Sequence, residues 1–149
     1  MQLRSSSIRN GFTVIELVVA IGVLMTIFGL GTFVSMDLYH AHLFEAEKST
    51  LLSVLEKARG QAQHHMRGSA HGVSIQSPAA VLFSGASFSL RDTSQDISFP
   101  LSQAIHRSGL TEVVFASLTA RVTTPGEILL VAGARSAAIT INSEGRIDW

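Results

Sequence analysis

Glu16 is the one ionisable side chain between residues 11 and 34, a run that opens Gly-Phe-Thr-Val-Ile-Glu-Leu and stays uncharged to Val34. A carboxylate in a lipid-facing helix costs roughly 2.5 to 3.5 kcal/mol at mid-membrane, less near an interface, so a chain that keeps one is expected to supply a partner. The partner expected here is an amine on another copy of the chain.

Other residue types that could do chemistry are not arranged for it. Six histidines invite a metal, with His40, His42, His64, His65 and His71 the closest set. On a helix, adjacent side chains diverge by about 100° and next-but-one side chains by about 200°. Neither His64-His65 nor His40-x-His42 therefore converges on one ion, and these read as solvated surface histidines. Asp92 and Asp96 offer too few oxygens for calcium, which takes about six to eight. Serine is abundant, but there is no Gly-x-Ser-x-Gly elbow and no phosphate-cradling Gly-x-x-x-x-Gly-Lys. No catalytic residue, metal or cofactor is expected, and the chain does not read as an enzyme.

What must position Glu16 is a helix. Twenty helical residues at about 1.5 Å each span about 30 Å, so 12–36 is long enough for one crossing of a bilayer. The leader, 1–11, carries Arg4 and Arg9, and the first lysine past the span is Lys48. The positive-inside rule then keeps the leader cytoplasmic and exports the rest. A cleaved secretory signal fits poorly, because such signals have a shorter apolar core and a small-x-small cut site.

From 37 to 68 the helix is expected to continue as an amphipathic one. Phe44, Leu51, Leu55, Ala58, Ala62 and Met66 fall on one stripe, with Glu45, Ser49, Ser53, Glu56 and Gln63 toward water. Arg67-Gly68 is the expected stop. Beyond it, 69–149 reads as a β-rich extracytoplasmic domain. Its candidate strands are 71–76, 79–83, 87–91, 111–116, 118–123, 127–132, 137–142 and 146–149, with 101–108 a short helix or loop. The last two strands form the clearest hairpin, turning at Gly145. With 149 residues there is room for one exported core. Eleven basic residues balance eleven acidic ones, so no like-charge block draws nucleic acid, and the absence of Cys excludes a disulfide framework.

The Gly-Phe-Thr-x-x-Glu string, behind a basic leader and ahead of the apolar run, resembles the class III signal of type IV pilins and type II secretion pseudopilins. Three later stretches resemble the H-type minor pseudopilin and FimT-like minor pilin group (GspH/FimT). They are Leu55-Glu56-Lys57-Ala58-Arg59-Gly60-Gln61-Ala62, then Val113-Val114-Phe115 with Gly126-Glu127-Ile128-Leu129-Leu130, and finally Ile139-Thr140-Ile141 with Gly145-Arg146-Ile147.

That resemblance implies an α+β, type IV pilin-like fold: a long N-terminal helix, transmembrane in its first half, packed on a C-terminal antiparallel sheet domain. It implies cleavage by prepilin peptidase between Gly11 and Phe12, N-methylation of Phe12, and Glu16 pairing with the freed amine of a neighbour to set axial register. The implied partners are other major and minor pseudopilins or pilins, an inner-membrane assembly platform with a cytoplasmic ATPase, and secreted substrate. The expected place is the inner membrane, single-pass, with the C-terminal domain periplasmic.

The function expected is a structural minor subunit at or near a pseudopilus tip. The alternative is a minor pilin of a type IV pilus or competence system, with DNA as a partner if Arg91, Arg107, Arg121 and Arg135 gather on one face. A more distant one is an unprocessed, signal-anchored binding or enzyme domain. The chain departs from many major pilins in lacking a proline in the apolar helix and a C-terminal Cys pair.

Overall fold

The computed structural model describes residues 11–149, leaving aside the side chains of 30–37. The helix α1 runs Val14–Gln63. Its residues up to His40 belong to a first compact unit, Met1–His40, and the rest to a second, Ala41–Trp149.

In the second unit, α1 buries one stripe. Phe44, Glu47, Leu51, Val54, Leu55, Ala58 and Ala62 turn inward at helical spacing, while Glu45, Ser49, Ser53, Glu56 and Gln63 stay exposed. Met66 does not join the stripe. The helix stops at Gln63, His65 takes a left-handed backbone (φ 48°), and a 3-10 turn at Met66–Gly68 follows. The helix ends before Arg67-Gly68 because the chain reverses at the two histidines.

Eight strands follow: β1 His71–Gln76, β2 Ala79–Ser84, β3 Ile97–Pro100, β4 His106–Gly109, β5 Glu112–Phe115, β6 Gly126–Ala132, β7 Arg135–Ile141 and β8 Ile147–Asp148. They form two four-stranded antiparallel sheets, ordered β3-β2-β1-β5 and β4-β6-β7-β8. Val73, Ile75, Ala80, Leu82, Val113 and Phe115 from the first sheet and Ile128, Leu130, Ile139 and Ile141 from the second join the α1 stripe in one core. β1 is buried on both faces, and its Gly72 is required there, because a Cβ would run into the Phe83 ring. The β6–β7 hairpin closes through Gly133 (φ 59°), a two-residue loop that suits a residue free to take positive φ.

Two strand expectations fail locally. Residues 87–91 hold a 3-10 turn, Phe88–Leu90. Residues 118–123 contribute a single bridge, Phe115↔Val122, because Leu118 (φ 68°) and Ala120 (φ 52°) fold the chain into a tight turn. The expected turn at Gly145 is present with φ 75°, and a Cβ there would meet the carbonyl oxygen of Ala120. Gly145→Ala is therefore expected to lose about 2 kcal/mol or more, combining backbone strain with that collision. The midpoint of urea unfolding of the full chain reads it.

The expected architecture is corrected on two points. The strands make two sheets rather than one, and no helix packs on them along its length: only 41–63 of α1 lies in the core, while the described residues of 14–29 are all exposed. Among the described residues, no helix is long and apolar enough to cross a membrane. One crossing takes about 20 consecutive apolar residues. The described apolar side chains at the head of α1, 14–29, are interrupted by Glu16 and Thr26. The transmembrane first half and the single-pass inner-membrane placement are withdrawn on that ground. The leader residues 1–10 lie outside the described residues.

Candidate functional site

Gly11, Phe12 and Thr13 are extended chain, and α1 begins at Val14. Thr13 is what starts it. Its carbonyl accepts from Leu17 N–H (3.2 Å) and its hydroxyl accepts from Glu16 N–H (3.3 Å), which satisfies one of the donors that a helix N-terminus leaves bare. Glu16 stands at the third helical position, where a carboxylate is favoured by the aligned backbone dipoles. The Thr-x-x-Glu spacing is that of a capping box, a local signal present in the sequence beside the intermolecular role expected of Glu16.

Gly11, Phe12 and Glu16 thus share one end of α1, and all three are exposed. Behind them the exposed side chains are almost all apolar: Phe12 is 85% exposed, and Val14, Ile15, Met25, Ile27 and Phe28 are open to a similar degree. Fully burying each such side chain is worth about 1.5 to 3 kcal/mol. Contiguous apolar surface on this scale marks an interaction site. This end of the chain can bind through apolar contact and offer one carboxylate to a cation.

The second unit carries its polar chemistry differently. Glu47, on the buried stripe, has both oxygens engaged: Oε1 with the Arg107 guanidinium, and Oε2 accepting from Ser102 N–H (2.7 Å). Arg107 also donates to the Ser102 carbonyl (3.0 Å). Arg91 donates to Asp96 (2.8 Å) and stacks on the Phe88 ring at 3.7 Å. Arg121 holds Glu144 (2.9 Å), which raises the guanidinium pKa above its ordinary value. The Ser94 hydroxyl, then its N–H, holds the Asp92 carboxyl below its usual range. Of the four arginines that would have made a basic face, three are thus matched to their own acids, and Arg135 is exposed on β7.

His71 differs from the other histidines. It is buried, and its Nε2 bonds the Met66 carbonyl at 2.9 Å. No cluster of three metal-type ligands occurs among the described residues. A cleft of about 320 Å³ is lined by Ile75, Ser77 and residues 103–107. Ser77 and His106 share it, but no hydrogen bond joins them among the described residues, and Arg107 is already committed to Glu47.

These features define two units: one whose described residues are an exposed apolar helix, and one with a core of helix and two sheets. No protein-family model, no curated protein and no solved structure matches it.

Proposed function

We propose that the chain is a structural minor pseudopilin of a type II secretion system, cut by prepilin peptidase between Gly11 and Phe12 and incorporated at or near the pseudopilus tip to support protein export. The observation that carries the reading is the head of α1. Gly11-Phe12-Thr13-Val14-Ile15-Glu16 leads a helix whose exposed residues to Phe28 are apolar but for Glu16, Thr26 and glycine. Such a surface is suited to bundling with like helices.

Cutting before Phe12 places a new amine four residues from Glu16. The amine of one subunit can then answer the carboxylate of the next, and only one stagger aligns them. A desolvated acid left without its cation is costly, so this contact favours one register over all others. The subunit performs no reaction. Its partners in this reading are prepilin peptidase, the other pseudopilins, an assembly platform driven by an ATPase, and secreted substrate. A minor pilin of a DNA-uptake system draws less support, since Arg91, Arg107 and Arg121 are each paired with an acid of the same chain.

Two measurements test the reading. Intact-mass analysis of the chain from host cells is expected to show loss of residues 1–11 and one added methyl on Phe12. Glu16→Ala is expected to leave that processing intact and to cut incorporation into isolated filaments or tip complexes about tenfold, as for loss of one buried charge contact. Full incorporation of the variant would remove the charge-pairing account.

A further inference from the structure

The carbonyl that the proposed cut attacks belongs to Gly11, and among the described residues neither it nor the Phe12 carbonyl accepts a hydrogen bond. Gly11, Phe12 and Thr13 are exposed and lie outside any regular element, and nothing stands within 4 Å of a Cβ built at Gly11. The helix reaches back only as far as Thr13, whose carbonyl takes the Leu17 N–H at 3.2 Å.

Each carbonyl that joins a helix takes the N–H four residues on. Lengthening α1 backward would therefore give the Glu16 N–H to the Phe12 carbonyl, and then the Ile15 N–H to the Gly11 carbonyl. The first of these donors is already taken, because the Thr13 hydroxyl holds the Glu16 N–H at 3.3 Å. A residue in this capping position keeps extended rather than helical backbone. Only this half of the capping box is made: among the described residues no bond joins the Glu16 carboxylate to the Thr13 N–H, so the cap does not consume the carboxylate proposed to meet a neighbour's amine.

We infer that Thr13 is a positioning residue for leader removal: by occupying the Glu16 N–H, its hydroxyl stops α1 short of the Gly11-Phe12 bond and presents that bond as open, extended chain. The inference rests on the processing reading and adds to it a determinant of the rate. Hydrolysis breaks the bond between the Gly11 carbonyl carbon and the Phe12 nitrogen. Water supplies the hydroxyl that makes the Gly11 carboxyl group and the proton that makes the Phe12 amine. In a helical turn that attack is hindered, because the Gly11 carbonyl oxygen is tied to the Ile15 N–H and the turn must unwind before the carbon is reached. An extended stretch with unpaired backbone groups can lie along a binding cleft and bond to it directly.

The test is the rate at which prepilin peptidase cuts the full chain in detergent, followed by intact mass. Thr13→Val keeps the shape and removes the hydroxyl, and its kcat/KM is expected to fall about three- to tenfold, the factor that loss of one cap corresponds to. Thr13→Ser keeps a capping hydroxyl and should stay within about twofold of the parent. A further replacement separates backbone shape from recognition of the hydroxyl itself. Proline is accepted at the first helical position and keeps the residue before it out of the helical region, so Val14→Pro added to Thr13→Val should restore the rate to within about twofold of the parent. Cutting of Thr13→Val at the parent rate would overturn the inference and leave the processing reading in place. So would a Thr13→Val, Val14→Pro chain cut no faster than Thr13→Val, because the peptidase would then be reading the hydroxyl. A parent chain that is never cut would overturn both.

Discussion

Glu47→Ala is expected to remove roughly 3 to 5 kcal/mol of stability, the usual loss when one member of a buried ion pair is deleted. The Glu47 and Arg107 side chains are only 4% and 10% exposed, so solvent screens little of their interaction. The substitution strands the Arg107 guanidinium in the interior and leaves Ser102 N–H without its acceptor. It also opens space on the α1 stripe between Phe44 and Leu51. Thermal unfolding of the full chain, followed by circular dichroism, should show Tm lowered by about 10 °C or more. The double variant Glu47→Leu with Arg107→Met should recover most of that loss, because an apolar pair of similar volume needs no desolvated charge. A Glu47→Ala chain within about 1 kcal/mol of the parent would mean that the guanidinium finds water or another acceptor.

Gly11→Glu is expected to abolish processing altogether, the largest functional effect proposed for any single position. Nothing lies within 4 Å of a Cβ built at Gly11, so the substitution leaves the fold alone. What it changes is the backbone before the scissile bond, where a bulky charged side chain obstructs a protease. Intact mass should then show the entire chain from Met1, with Tm unchanged. A cut product of normal mass from this variant would end the processing part of the proposal while leaving the stability predictions untouched.

How much of this could be read beforehand depended on the range over which each feature is encoded. The buried stripe was legible from Phe44 to Ala62, because a period of 3.6 is a local property. Met66 was not, since the reversal at His65 is made by contacts with the distant Ser117. The strands at 71–76, 79–84 and 126–132 announced themselves by Val, Ile and Leu between turn residues. β3, with its Pro100, and β4, His-Arg-Ser-Gly, carry almost none of that signal; they are edge strands made by pairing with β2 and β6. The division into two sheets rests on such pairings alone. Glu47 carries no local mark of burial, because its burial depends on an arginine 60 residues away. At the head of α1, the position of Glu16 and the capping role of Thr13 are both legible, because a capping box is a local spacing.

The hydroxyl of Thr13 has one more consequence. It caps α1 two residues after Gly11, so the first turn is held by groups of Thr13, Glu16 and Leu17, all of them past the Gly11-Phe12 bond. Shearing the chain before Phe12 would leave those Thr13 contacts in place. Under the proposed cut before Phe12, the cap stays on the mature chain and the new charge arrives one residue ahead of it.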